Sequence, residues 1–327
     1  MSPSTRWSTP PSRAAWADSS TPSPSSPALP AEKALARVGE GLRDNAYGAR
    51  RLGFGVSGPH GSPLIRPEAT VQMIQHAYAL GVRVFDTGPS YGAGEAERRL
   101  GEALARLPPY DPIVSTKVGM LSSGLRRRHR DFTPEAVRRS VHGSLKRLRR
   151  ARIDWLFLHG PSPAELTDEL LKTLVDLKFK GDIVSLGICG RGKELDAALA
   201  SGHFTHFMAP VHAGLSSHEK ERIYRLRSAG ELIGIETLAA ANPRFPVPVS
   251  AGATWRLARS LVGWANPRPP TPMTVEEALN WALDEGGAHR IISTTSRLDH
   301  LESNVAAVMT PNTGRLIAGG SGLSSGV

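Results

Sequence analysis

Between residues 51 and 294 the chain carries eight short apolar runs, and most are followed by an amphipathic stretch. No other feature constrains the fold as much. The runs cover 51–56, 82–87, 113–118, 154–159, 183–189, 204–211, 232–237 and 290–294. They are near-continuous rather than strictly alternating, the pattern of strands buried on both faces of a parallel sheet. Helix signals fall between them. Pro67 stands at a first helical position ahead of Val71, Ile74 and Tyr78 at helical spacing. Thr133-Pro134-Glu135 precedes an apolar stripe of Val137, Val141, Leu145 and Leu148. Ser162 to Glu165, Ser216 to Glu219 and Thr274 to Glu277 read as capping boxes, and the remaining helices are placed at 95–106, 193–201 and 298–308. Parallel strands joined by helices form either an open doubly wound sheet or a closed barrel; eight consecutive units favour an (α/β)8 TIM barrel.

Of 327 residues, 40% are hydrophobic, enough to bury a large core and to exclude disorder as the overall state. The barrel is assigned to 50–310. Residues 1–35 are rich in Ser and Pro, as in Ser23-Pro24-Ser25-Ser26-Pro27, and read as a disordered tail, since such a composition does not repay its ordering entropy. The tail lacks the apolar segment of a secretory signal; within residues 1–30, Arg6 and Arg13 against the single acid Asp18 leave an organelle transit peptide as the alternative. Residues 311–327 read as a flexible Gly/Ser-rich end. The connection 238–272, with Trp255, Trp264 and several prolines, is long for a compact domain and reads as a lid or insert. No apolar run approaches the roughly 18 residues that cross a bilayer, so no membrane association is expected. The single cysteine, Cys189, excludes a disulfide framework and a multi-thiolate zinc site. The formal net charge of +10 is concentrated in Arg127-Arg128-His129-Arg130 and in Lys146-Arg147 with Arg149-Arg150. No aromatic interleaving or reading motif accompanies these runs, so they are assigned to solvated faces and no nucleic-acid partner is expected.

In barrels of this kind chemistry sits at the C-terminal ends of the strands. The second run ends at Asp86, with Tyr91 shortly after; the third carries Lys117; the fourth ends at His159. An acid, a phenol, an ammonium and an imidazole are thus expected on one rim. Each alone has a structural reading; together they suit proton delivery to a carbonyl. A free phenol is a sluggish acid at neutral pH, an adjacent ammonium is expected to lower its pKa, a carboxylate holds that ammonium charged, and an imidazole binds the oxygen as charge builds there. No side chain supplies a hydride, which calls for a nicotinamide cofactor.

At these residues the chain resembles the aldo-keto reductase superfamily. The resemblance rests on Gly81-Val82-Arg83-Val84-Phe85-Asp86-Thr87 with Tyr91-Gly92 and Glu95, on Ser115-Thr116-Lys117, on Ser144-Leu145-Lys146-Arg147-Leu148, on the stretch from Ile153 to His159, and on Leu301-Glu302-Ser303-Asn304. It implies a barrel that reduces an aldehyde or ketone, or oxidises a sugar-like alcohol, with NADPH or NADH. Tyr91 is then the proton donor, Lys117 and Asp86 tune it, and His159 orients the carbonyl. The resemblance places cofactor contacts at Gly55, Ser57, Asp86, Cys189, Gly190, Met208, Glu236, Thr237, Thr294, Thr295, Ser296 and Asn304.

Several of these depart from the family pattern. Cys189-Gly190 stands where Ser-Asn usually grips the nicotinamide carboxamide, Met208 where a glutamine is usual, and Glu236 where an aromatic ring usually stacks. A carboxylate beside the nicotinamide would favour its oxidised form; the alternatives are that Glu236 contacts a polyol hydroxyl or turns away to pair with an arginine. Cys189 reads as a small apolar filler rather than a nucleophile. His203, His206, His212 and His218 match no standard metal spacing, and no metal is expected. The overall expectation is a cytoplasmic oxidoreductase, monomeric or a small homo-oligomer, acting on a small carbonyl or polyol. The rivals are a barrel with weak cofactor grip serving as a regulatory subunit, and a barrel enzyme of unrelated chemistry such as an isomerase.

Overall fold

The computed structural model describes residues 46–121, 129–239 and 273–309. The tails 1–35 and 311–327, Arg127-Arg128 and nearly all of the connection 238–272 lie outside the described residues. Eight parallel strands close into a barrel in sequential order: β1 (Leu52–Gly55), β2 (Val84–Asp86), β3 (Ile113–Val118), β4 (Ile153–His159), β5 (Ile183–Cys189), β6 (His206–Pro210), β7 (Glu231–Ile235) and β8 (Arg290–Ser293). The helices that follow them in turn are α1 (Pro67–Ala79), α2 (Glu95–Leu104), α3 (Pro134–Leu148), α4 (Asp168–Phe179), α5 (Lys193–Ser201), α6 (Ser217–Ala229), α7 (Val275–Leu283) and α8 (Leu298–Met309). The eight apolar runs are the eight strands, and the closed order excludes the open sheet. Gly53, Gly55 and Gly58 spell G-x-G-x-x-G, but the first two lie inside β1 and α1 begins only at Pro67, so this is no dinucleotide-binding turn. Among the described residues no helix is long and apolar enough to cross a membrane.

Strand alternation sorts the apolar side chains into two cores. Val84, Trp155, Phe157, Cys189, Met208, Ile233 and Ile292 fill the barrel interior. A larger set, including Phe54, Phe85, Leu156, Ile188 and Phe207 from the strands, packs outward against the helices. The stripe on α3 lies in that outer layer through Val137, Val141 and Leu148. Three arginines on α3 or just past it pair with neighbouring acids: Arg138 with Asp176, Arg147 with Glu97, and Arg150, beyond its end, with Asp154. Gly101 brings α2 close to α3, since a Cβ there would lie 2.2 Å from the backbone oxygen of Arg147. Gly101→Ala is expected to cost about 1–3 kcal/mol, because the obstacle is backbone and must shift; urea unfolding measures it.

Two local expectations need correction. The capping box of Ser162 and Glu165 forms, but it closes only the 3-10 turn Pro163–Glu165; α4 starts at Asp168, capped by the Thr167 side chain. Beyond β3 the chain makes a small antiparallel hairpin, Met120–Leu121 with His129–Arg130, which the apolar pattern does not announce.

Candidate active site

Register places the polar groups. Asp86 stands opposite Ser115 at the end of β2, and Lys117 lies two residues further along β3, on the same inward face. The Lys117 ammonium donates to both carboxylate oxygens of Asp86, at 2.8 and 2.6 Å, and to the Thr87 carbonyl at 2.8 Å. Ser115 Oγ donates to the same carboxylate at 2.7 Å. Both charged residues are buried, Lys117 2% and Asp86 4% exposed, so charge pairing and full hydrogen bonding offset desolvation. Burial pushes the Lys117 pKa down, but the charges of Asp86 and Tyr91 outweigh it, and the net shift is upward. The ammonium stays charged at neutral pH.

Tyr91 is held in a tight turn after β2, its amide donating to the Gly88 carbonyl at 3.0 Å. The next residue, Gly92, has φ 63° and lies so close to Gly61 that a Cβ would fall 1.8 Å from the Gly61 oxygen; only glycine fits there. The Tyr91 ring centroid lies 5.1 Å from Lys117 Nζ and 6.3 Å from the His159 ring, which meets it edge-on. Aspartate, phenol, ammonium and imidazole therefore meet at one rim. The expected fall in the Tyr91 pKa is reversed, however. Burial raises it, Lys117 lowers it and Asp86 raises it again, so the phenol ends above its ordinary value. Tyr91 rests protonated.

Cys189 closes β5 and Gly190 follows it, Met208 stands opposite Cys189 inside β6, and Glu236 and Thr237 follow the end of β7. Cys189 and Met208 are buried. Burial pushes the Cys189 thiol up to about 12, which makes it a poor nucleophile. β7 ends one residue before Glu236, which adopts φ 58°, a left-handed turn uncommon for a non-glycine. Its carboxylate pairs with Arg191 of the β5–α5 loop, the arginine-paired arrangement among those weighed above. Thr237 is buried in the turn that follows.

Gly55, Ser57 and Thr294 to Ser296 gather where β1 and β8 end. Thr294 Oγ1 would sit 2.2 Å from a Cβ at Gly55, and it lies 3.2 Å from Ser57 Oγ. Asn304 is buried and donates its amide to Ser293 Oγ at 3.0 Å, so it supports β8 from behind. Sequence reading overlooked His60. This buried imidazole lies 2.8 Å from the Thr295 carbonyl through Nε2 and 3.2 Å from the Thr70 hydroxyl through Nδ1. A carbonyl only accepts, so Nε2 carries the proton and Nδ1 accepts; burial lowers the pKa to about 4 and keeps the ring neutral. No local signal marks such a residue, because both partners are supplied by folding. The four histidines 203, 206, 212 and 218 do not converge: His206 packs on Trp155, and His218 contacts Arg222. Among the described residues no cluster has the makings of a metal site.

Residues 51–200 match the family model described as Aldo/keto reductase family. The chain is 34% identical over 163 residues to L-galactose dehydrogenase of Arabidopsis thaliana, covering 48% of each protein. It is 29% identical over 212 residues to D-threo-aldose 1-dehydrogenase of a Pseudomonas species, covering 55% of this chain and 63% of that one. The matches thus span about half to two thirds of these relatives. The fold is similar to that of the holo form of an aldo-keto reductase from Bacillus halodurans, with TM-score 0.63 over 79% of this chain and 86% of that one, at 21% identity. At that identity the likeness speaks for the fold.

Proposed function

Residues 51–200 carry an aldo/keto reductase family match, and from that premise we propose that the chain is an NAD(P)-dependent oxidoreductase acting on an aldehyde, a ketone or a sugar-like alcohol. The observation that carries the reading is the buried Lys117–Asp86 pair beneath the Tyr91 ring, with His159 across the mouth. The donor set fits a nicotinamide cofactor: it can move a proton, yet among the described residues nothing in it transfers a hydride, and the only thiol is held protonated. Ser57, Thr294, Thr295 and Ser296, hydroxyl groups with at least partial exposure, would hold the dinucleotide, together with Cys189, Gly190 and Met208. When bound, the reduced nicotinamide supplies the hydride.

The protein's own residues do the rest. Tyr91 gives its proton to the carbonyl oxygen as negative charge develops there. The Lys117 charge stabilises the phenolate left behind, and Asp86 and the Thr87 carbonyl hold that ammonium in place. His159 supports the reacting oxygen from the other side. A phenol that rests protonated suits carbonyl reduction, because the acid form is ready at neutral pH. Arg191 neutralises Glu236, so the carboxylate imposes little net field on the cofactor's charge.

One observation favours the second reading, a barrel with weak cofactor grip acting as a regulatory subunit: Cys189 and Met208 offer neither amide nor hydroxyl to a carboxamide. Fluorescence titration with NADPH and NADH, followed by a turnover screen over aldehydes, ketones and aldoses, separates the two. Binding of one cofactor with a dissociation constant of about 1 μM to 1 mM and turnover of a carbonyl are expected. Absence of binding by both would transfer support to the regulatory reading.

A further inference from the structure

Glu97 is a buried carboxylate that takes no part in the proposed proton transfer. It is fully enclosed between α2, β3 and α3. Thr116 Oγ1 donates to one of its oxygens at 2.6 Å, and Arg147 Nε donates to the other at 2.6 Å. Thr116 precedes Lys117, and strand alternation sends its side chain outward, toward α2, while Lys117 points into the barrel. Glu97 lies at the start of α2, and that helix is continuous with the Tyr91 turn: the Glu95 amide donates to the Gly92 carbonyl and the Ala96 amide to the Tyr91 carbonyl. On the other side Gly61 backs Tyr91 and Gly92, and the buried Arg99 of α2 donates to the carbonyls of His60, Ile65 and Ser62. The turn that carries the phenol and the helix behind it thus form one stiff unit. Within it, the Thr116–Glu97 hydrogen bond joins that unit directly to the strand that carries the ammonium.

From this arrangement we infer that Glu97, through Thr116, is a positioning residue that sets the spacing between the Tyr91 phenol and the Lys117 ammonium. The inference rests on the proton-donor reading of Tyr91. Arg147 holds the carboxylate from the far side, so its second oxygen stays directed at Thr116. The device acts through rigidity: a hydrogen bond from a hydroxyl to a carboxylate, both fully buried, leaves little slack, and a group displaced by about 1 Å can lose about a hundredfold in rate.

Thr116→Val tests this, since it removes only the hydroxyl, keeps the side chain's shape and preserves the Glu97–Arg147 pair. Thr116→Ser is the rescue. Leu279→Ala, in buried α7, controls for loss of stability alone. Two readouts are taken on each: steady-state kinetics, and the Cζ resonance of Tyr91 in protein labelled with 13C-tyrosine, assigned by its disappearance in Tyr91→Phe. In Thr116→Val, kcat is expected to fall about tenfold or more with KM and cofactor affinity near wild type, and the Tyr91 resonance is expected to move. Thr116→Ser should restore both. The resonance needs no turnover, so it judges the spacing even if no substrate is found and the proton-donor reading fails. An unmoved Tyr91 resonance in Thr116→Val, an equal movement in Leu279→Ala, or a serine variant as impaired as the valine one would overturn the inference.

Discussion

Tyr91→Phe is expected to reduce turnover by a factor of about 10² to 10⁴ while leaving the dissociation constant for NADPH or NADH near wild type. The substitution removes one oxygen and nothing else. The ring is expected to remain in its turn between Gly88 and Gly92 and to keep covering Lys117, whose Nζ lies 5.1 Å from the wild-type ring centroid. Loss of the proton alone should appear in kcat, because the interaction it supplies strengthens only as charge builds on the carbonyl oxygen. Rapid mixing with cofactor, followed by steady-state assays on the best substrate from the screen, makes the distinction. A variant that keeps most of its activity would mean that His159 or water delivers the proton, and the arrangement around Tyr91 would need another purpose.

Lys117→Met should damage both catalysis and the fold. It removes the charge that stabilises the phenolate, and it strands the Asp86 carboxylate in a buried site where the Ser115 hydroxyl still donates to it but no cation balances it among the described residues. Breaking one side of a buried pair in this way typically costs about 3–5 kcal/mol. Urea unfolding of Lys117→Met, of Asp86→Asn and of the double variant measures it. The double variant is expected to recover much of the stability, because no lone charge is left inside, but none of the activity. Equal losses that add in the double variant would show that the two groups do not act as a pair. The pH dependence has a definite sign. The folded Lys117 pKa lies above the unfolded value, so the pair's contribution is complete below the ordinary lysine range and is lost as pH rises through the folded value. Alkaline unfolding of the wild type should therefore be steeper than that of the double variant.

The strands and the four-residue set were legible because they depend on local pattern. A near-continuous apolar run bounded by polar residues marks a doubly buried strand wherever it occurs, and the last residues of β2, β3 and β4 are then committed to one rim by strand polarity alone. The signals that misled were local ones asked to decide a non-local outcome. The box at Ser162 and Glu165 caps a first turn, but whether a helix continues depends on an apolar face to pack, and that begins only at Leu170. The role of Glu236 stayed open among three alternatives, because its partner, Arg191, lies 45 residues away and meets it only when β5 and β7 are brought together across β6. His60 carried no mark at all, since the Thr295 carbonyl it holds lies 235 positions along the chain.

By itself the sequence determined the order and polarity of the eight strands and, through period-two alternation, which side chains reach the barrel mouth, because both properties are set by neighbouring residues. Only the tertiary structure decided the sign of the Tyr91 shift, the neutralisation of Glu236 and the tie from Glu97 to Thr116. Desolvation sums over everything that closes around a group, and pairs between distant positions exist only once the barrel has closed.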